Sequence, residues 1–292
     1  MVRHSQALQS QHAQQPQPAV PVSPADPFIK WAGGKTRIMH ELVSRMPSAK
    51  LWRGGYREPF LGGAAVFLRL QPRQSVLTDT NAELIGLYKV VRDDVEALIE
   101  ALGDHTYERE HFYSVRAVDP TTLSAVESAA RFVFLNRSCF NGLYRVNKSG
   151  QFNVPFGKYT NPNLCPVERL RGASRALASA EIRLGDFDSS VAAARAGDFV
   201  YMDPPYAPIS PTASFTSYTA ADFGLADQTR LAERFRELTE RGVLCMLSNS
   251  DTPLIRELYQ GFRIDGILAP RAISRSAEGR RPVGEVIVRN YG

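Results

Sequence analysis

Four consecutive residues, Asp203-Pro204-Pro205-Tyr206, set a carboxylate, a rigid backbone and an aromatic ring at the end of an apolar run. The run, residues 198–202, reads as a short buried strand, and two prolines, which have no N–H for a ladder, end it. In open α/β sheets ligands bind outside the carboxyl ends of the strands. There, Asp203 and the Pro204 carbonyl can accept two hydrogen bonds from an NH₂ group while Tyr206 stacks on a ring face. The chemistry suggested is the holding of a flat, amino-bearing ring. A plain strand with a proline turn explains the same letters, but the strand in front of the tetrapeptide favours a site.

Two further stretches have the composition to hold a ligand beside it. Gly33-Gly34-Lys35-Thr36 precedes a helical pattern through Ile38, Leu42, Val43 and Met46 that stops at Pro47. A phosphate loop is excluded because the required first glycine is Ile29. Two glycines before a helix still let the backbone approach a ligand closely, and Lys35 with the helix start offers positive charge to a carboxylate. An ordinary glycine-capped helix start accounts for these residues equally well. Residues 56–68 read as strand, glycine turn and helix, and a second strand, 75–78, ends at Asp79, nineteen residues after Phe60. An acid at that spacing hydrogen-bonds ribose hydroxyls in dinucleotide-type units, so a nucleoside-containing cofactor fits. The next helix, beyond Asn81, uses Leu84, Leu87, Tyr88 and Val91 as a core stripe.

Between residues 93 and 171 the strand–helix rhythm gives way to helical patterns at 95–102, 107–118 and 123–135, followed by an irregular stretch from Asn136 to Tyr159. No acidic residue occurs between Glu127 and Glu168, whereas Arg131, Arg137, Arg145, Lys148 and Lys158 all do, with aromatics interleaved. Turns at 140–143 and 148–151 imply a β-hairpin or a pair of tight loops. Arginine and amide side chains on such a projection suit phosphate contact and base-edge readout, and a merely solvated loop would expose many large aromatics at a cost.

The remaining chain supplies the elements that must position these groups. Strands are expected at 180–186, 243–247, 262–267 and 283–289, with a helix over 227–241. A Ser- and Thr-rich loop, 207–223, follows Tyr206 and reads as a lid; a basic loop with Arg271, Arg275, Arg280 and Arg281 is a second phosphate contact. Residues 1–26, rich in Gln and Pro, read as a disordered tail. The chain of 292 residues is 43% apolar and 22% charged with a formal net charge of +5, the balance of a globular protein compatible with a polyanionic partner. Cys139, Cys165 and Cys245 are odd in number and widely spaced, so neither a disulfide framework nor a zinc site is expected, and no metal is called for. His105 and His111 lack ligand spacing. No apolar run is long enough for a bilayer, and the N-terminus has no signal core, so a cytoplasmic protein is expected.

Taken together, Phe28-Ile29-Lys30-Trp31-Ala32-Gly33-Gly34-Lys35, Glu58-Pro59-Phe60-Leu61-Gly62-Gly63, Asp79, Asn141-Gly142-Leu143 with Arg145 and Asn147, residues 152–157, and Asp203 to Tyr206 resemble the Dam-type DNA adenine-N6 methyltransferases, in the family's order, from Phe28 to Asn290. The resemblance implies an α/β fold: a Rossmann-like class I methyltransferase sheet with an inserted, mainly helical target-recognition domain carrying a hairpin. Residues 27–92 and 172–292 then form the catalytic domain that binds S-adenosyl-L-methionine, and residues 93–171 the recognition domain. It further implies that Trp31, Lys35, Asp79 and Asp203 line the cofactor site, with Phe60 and Gly62 beneath it and Asp186 reaching the cofactor's adenine. Asp203, Pro204 and Tyr206 become the catalytic clamp. Phe140, Asn141, Leu143, Arg145, Asn147 and Lys158 become DNA contacts, with Phe140 as a wedge in the base stack and Lys30 at the first base pair. Double-stranded DNA, commonly GATC, is the implied partner, bound by a monomer or by a dimer on DNA.

Three positions depart from the family pattern. The third loop glycine is Ala64, which fits with a negative φ; an arginine is replaced by Lys158, which lacks the planar fork; and Phe140 stands where Tyr is frequent. The implied reaction is direct methyl transfer to N6 of an adenine rotated out of the duplex, with hydrogen bonds from both N6 protons favouring a pyramidal nitrogen. The same clamp could take the N4 of cytosine or a base in RNA, and a relative that binds DNA without activity is the rival outside enzymology. C5-cytosine chemistry needs an attacking thiolate, and none of the three cysteines heads a site loop.

Overall fold

The computed structural model describes residues 25–208, 223–269 and 283–292. Residues 1–24 of the expected tail (1–26), 209–222 of the expected lid (207–223) and the basic loop with Arg271, Arg275, Arg280 and Arg281 lie outside the described residues; Ala25, near the end of the expected tail, is described, its N donating to Leu68 O at 3.2 Å.

After a short 3-10 turn, Lys35–Ile38, comes α1 (Met39–Val43), so the single helix expected over this stretch is split and short. Then follow β1 (Tyr56–Glu58), α2 (Ala65–Leu70), β2 (Ser75–Asp79) and α3 (Ala82–Asp93), whose first turn is capped by the Asn81 side chain accepting from Leu84 N at 3.1 Å. Next are α4 (Val95–Gly103), α5 (Arg109–Ala117) and α6 (Ala125–Ser138), the last opened by a Ser124–Glu127 capping box. The chain returns to the sheet through α7 (Val167–Leu177), β3 (Ala180–Leu184), α8 (Phe187–Val191) and β4 (Phe199–Met202). It ends with α9 (Leu225–Glu240), β5 (Leu244–Ser250), α10 (Pro253–Leu258), β6 (Arg263–Ala269) and β7 (Val283–Arg289).

The seven strands among the described residues form one sheet in the order β3-β2-β1-β4-β5-β7-β6, parallel from β3 to β5 and antiparallel at β7 and β6. The strand following β1 in sequence, β2, lies on one side of it, and β4 lies on the other, which makes the β1–β4 boundary the topological switch point. Asp198 fixes the register there. Its Oδ1 accepts from Gly55 N at 2.7 Å, and Phe199 N donates to Gly55 O at 2.9 Å.

Side chains of β4 alternate between two cores, as a period of two requires. Phe199 and Tyr201 enter one core with Tyr56, Leu77 and helices α2 to α7; Val200 and Met202 enter the other with residues of α8, α9 and α10. The first core runs without interruption from the sheet into residues 93–171, through Leu98, Phe112, Phe132, Phe134 and Phe152. The boundary expected at 171/172 falls within α7, a continuous helix. The expected hairpin is irregular, held by single bridges Cys139–Phe156 and Val146–Phe152 rather than by a ladder. Ala64 also departs from expectation. Its φ is +54°, a left-handed conformation that costs a residue with a Cβ about 1–2 kcal/mol.

Glu58 joins β1 to α2. Its Oε2 accepts from Tyr56 Oη at 2.7 Å and from Phe67 N at 3.1 Å, and the side chain is 2% exposed. Burial outweighs these bonds and raises its pKa from 4.5 to about 8. The folded protein therefore holds this proton more tightly than the unfolded chain, so the contribution is complete below the unfolded value and is lost as pH rises through the folded one. Urea unfolding of the wild type against Glu58→Gln should show it: the wild type loses stability relative to the variant between about pH 4.5 and 8, by at most about 5 kcal/mol. Parallel pH curves would show that Glu58 ionises normally.

Candidate active site

Asp203 follows the last residue of β4, where the strand leaves the sheet at the switch point. Its Oδ2 lies 2.7 Å from Lys35 Nζ, with the lysine side chain 6% and the aspartate side chain 20% exposed. Its Oδ1 is buried and has no hydrogen-bond partner among the described residues. Burial pushes the Asp203 carboxyl above its ordinary pKa, and Lys35 pulls it back down. The Ser248 hydroxyl is close enough to lower it slightly, yet its hydrogen bond of good geometry runs to Tyr201 Oη at 2.6 Å. One oxygen of Asp203 is thus neutralised and the other is free to accept.

Lys35 does more than pair with Asp203. It donates to Gly33 O at 2.5 Å and lies 4.8 Å from the centroid of the Tyr206 ring, fixing that ring by a cation–π contact. Tyr206 Oη in turn donates to Glu285 on β7 at 3.0 Å. Behind the tetrapeptide, Gln228 Nε2 donates to Pro205 O at 2.9 Å, Asn249 Oδ1 accepts from Ala207 N at 3.0 Å, and Ser250 Oγ donates to Ala207 O at 2.6 Å. A further bond from Asn249 Nδ2 to Gln228 Oε1, 3.1 Å, closes the set, and all three side chains are buried. The turn is therefore held from behind by α9 and β5, which leaves its front to a ligand.

The glycine loop between β1 and α2 stands next to this pair. Asp79 at the end of β2 accepts from Gly62 N through Oδ2 and from Asn81 N through Oδ1, both at 3.0 Å. Each carboxylate oxygen keeps a second lone pair. Trp31 lies across the loop: a Cβ on Gly62, whose φ is +46°, would stand 2.8 Å from the indole nitrogen, so only glycine fits. On its other side Trp31 stacks with Tyr144 at 5.7 Å, and Tyr144 with Phe132 at 5.2 Å. Phe60 stacks on Phe187 at 5.6 Å and meets Phe223 edge-on. Asp186 is not directed into this group alone; its Oδ1 caps α8 through Ser189 N at 3.0 Å, and its Oδ2 faces Arg230 at 3.6 Å.

In the basic stretch, Phe140, Asn141, Arg145 and Lys158 are exposed, with Phe140 at 41%. Arg145 is braced across the hairpin, Nε donating to Asn153 Oδ1 at 2.6 Å. Asn147 is spent on the turn itself: its Oδ1 accepts from Ser149 N and Gln151 N, both at 2.9 Å. Leu143 is half-buried against the core, and its carbonyl accepts from Cys139 Sγ at 3.2 Å. Lys30 lies with its Nζ 3.9 Å over the Tyr159 ring.

Sequence reasoning missed Gln228, Asn249, Ser250 and Glu285, whose partners are distant in the chain, and Phe187, Phe223 and Arg230, whose guanidinium lies 4.5 Å over the Phe187 ring. Phe187, directly after Asp186, was the one available signal. His105 and His111 meet at 3.0 Å, with His105 stacked on Phe134, and so pack with the core under the basic stretch. Cys139 is buried and its thiol is pushed up to about 12, which keeps it a thiol rather than a nucleophilic thiolate.

The glycine loop, the acid at the end of β2 and the proline-bounded carboxylate at the switch point all lie at the carboxyl ends of the parallel strands, and comparison with known proteins gives the family. A family model described as D12 class N6 adenine-specific DNA methyltransferase matches residues 31–273. The type II methyltransferase M1.LlaDCHI of Lactococcus lactis subsp. cremoris is 43% identical over 274 residues, covering 91% of this chain and 95% of that protein. M.MjaIII of Methanocaldococcus jannaschii, also a type II methyltransferase, is 41% identical over 286 residues, covering 91% and 99%. A DNA adenine methylase of Serratia marcescens is 37% identical over 265 residues, covering 89% and 96%. With its proline-bounded Asp203 set at the switch point of a methyltransferase-type sheet, this chain belongs to the D12 class of N6 adenine-specific DNA methyltransferases.

Proposed function

We propose that the protein moves a methyl group from S-adenosyl-L-methionine to N6 of an adenine rotated out of duplex DNA, within GATC. The observation that carries this reading is the division of labour within Asp203: Oδ2 is held by Lys35, while Oδ1 is buried with no partner among the described residues. A buried acceptor left open in this way costs about 1–3 kcal/mol and is accounted for by a donor that arrives with the substrate. The amino group of a purine supplies one. Tyr206, fixed by Lys35 and Glu285, stacks on the ring, and the Pro204 carbonyl takes the second N6 proton.

The residues present fit the cofactor. Asp79 has lone pairs for ribose hydroxyls, Trp31 and the Gly62 loop form a close wall, and the packed Phe60, Phe187 and Phe223 rings offer an apolar surface for an adenine, with Asp186 beside Phe187. When bound, the sulfonium group supplies an electrophilic methyl. The chain's own part is to orient the amino group and to keep Asp203 ionised in a dry site, so that catalysis is positioning and electrostatics.

Residues 93–171 serve as the recognition insertion. Arg145, braced by Asn153, reads a base edge; Asn141, Leu143 and Lys158 contact the duplex; and Phe140, exposed at the tip, enters the stack vacated by the target. Asn147 contributes by shaping the turn that carries Arg145. Lys30 meets the first base pair of the site.

Three outcomes are expected. Tritium transfer from labelled donor should occur on GATC duplexes and not on duplexes without adenine; transfer to the latter alone would point to cytosine N4. Asp203→Ala should lower kcat by at least ~10²–10³ while DNA binding in a gel-shift assay is kept, and an active variant would remove Asp203 from the mechanism. Lys35→Met removes the cation that holds the Asp203 carboxyl down, so the acid limb of the residual activity should move to higher pH; an unmoved limb would mean that the titrating group lies elsewhere.

A further inference from the structure

The side-chain amide of Asn136, near the end of α6, is 2% exposed and makes three hydrogen bonds, none of them local to its own helix turn. Its Oδ1 accepts from Lys30 N at 2.8 Å; its Nδ2 donates to Lys30 O at 2.7 Å and to Gly142 O at 3.1 Å. The orientation is unambiguous, because the flipped amide would set N–H against N–H and oxygen against two carbonyls. The amide stands in for a peptide unit of a neighbouring strand, pairing both backbone groups of Lys30, a residue 106 positions away. An asparagine required only for packing could be replaced by leucine; this one satisfies three backbone groups, that of Gly142 buried, which nothing apolar would serve.

The Lys30 side chain is confined by the same neighbourhood. A Cβ on Gly142 would stand 2.3 Å from Lys30 Cδ and 2.5 Å from its Cβ, so the lysine stem lies flat against the glycine, whose φ is +64°. Beyond it the ammonium rests over the ring of Tyr159, which donates through Oη to Cys139 O at 2.9 Å. Lys30 is thus bracketed by residues 136, 139, 142 and 159 of the basic stretch, although its own chain runs straight on to Trp31 and Lys35. Its head is placed rather than free to swing.

We propose that Asn136 is a positioning residue for target readout: its amide locks Lys30 to Gly142, and thereby sets where Lys30 meets the DNA relative to the residues around Phe140 and Arg145. The inference rests on the reading of Lys30 as a DNA contact. Loss of the lock leaves the methyl-transfer clamp intact and loosens discrimination at the base pair Lys30 faces.

The test is plasmid DNA methylated in vitro by the full-length protein and read base by base for modified positions, so that no recognition sequence is assumed. Lys30→Ala should broaden the modified motif at one position. Asn136→Ala should broaden it at that same position, raising the ratio of off-motif to on-motif methylation by about tenfold, and should raise the KM for DNA more than it lowers kcat. Gly142→Ala, which pushes on the lysine stem from the other side, should do the same and carries the test if Asn136→Ala fails to fold. The double variant Lys30→Ala, Asn136→Ala should discriminate no worse than Lys30→Ala. An unchanged motif in folded Asn136→Ala and Gly142→Ala, or additive losses in the double variant, overturns the role of Asn136 alone. An unchanged motif in Lys30→Ala overturns the reading of Lys30, and the inference with it.

Discussion

The ion pair between Lys35 and Asp203 closes the molecule across its switch point. A carboxylate at the end of a central parallel strand is surrounded by apolar layers and loses most of its hydration, so its ionised form persists only if a cation is delivered to it. The cation comes from outside the sheet, on the segment that runs from Phe28 to Ile38 over the strand ends. The same lysine holds Tyr206, and through it Glu285 on β7. One contact therefore aligns the N-terminal segment, the β4 terminus and the antiparallel edge of the sheet around one unfilled acceptor.

Because that segment is anchored at Lys35, its neighbours are positioned as well. Trp31 is pressed on the Gly62 loop and stacked on Tyr144, while Lys30 is gripped by Asn136, so a run of six residues touches the glycine loop, the Asp203 carboxylate and the basic stretch. The shared core reinforces the arrangement. With Phe112, Phe132 and Phe134 packed into the layer that also covers Tyr56 and Phe199, residues 93–171 are not a separate bead on a linker but an extension of the sheet's own packing. That shared packing fixes the basic stretch relative to the sheet.

The strands and the placing of Asp203 to Tyr206 at a strand end were legible because both are local: apolar runs bounded by proline and glycine announce strand ends. Asp79 was legible through spacing, which parallel βαβ geometry imposes. What stayed hidden was non-local. Gln228, Asn249 and Ser250 support the tetrapeptide across the β4–α9 layer, and Asn136 reaches Lys30 across the whole first half of the fold, with no pattern in the letters to announce it. Backbone conformation was hidden too. Ala64 occupies a left-handed position that its residue type disfavours, held there by a methyl group that is 1% exposed, and Asn147 is consumed by its own turn although its composition suggested a reader.

The central claim is that the open oxygen of Asp203 receives an amino proton of an adenine that has left the duplex. A crystal structure of the protein with a GATC duplex and a non-reactive analogue of the methyl donor measures this directly. The expected result is an extrahelical adenine with N6 about 2.8–3.1 Å from both Asp203 Oδ1 and the Pro204 carbonyl, and Tyr206 on its face. An adenine still stacked in the duplex, or an amino group turned away from Asp203 with the donor analogue in place, would contradict it.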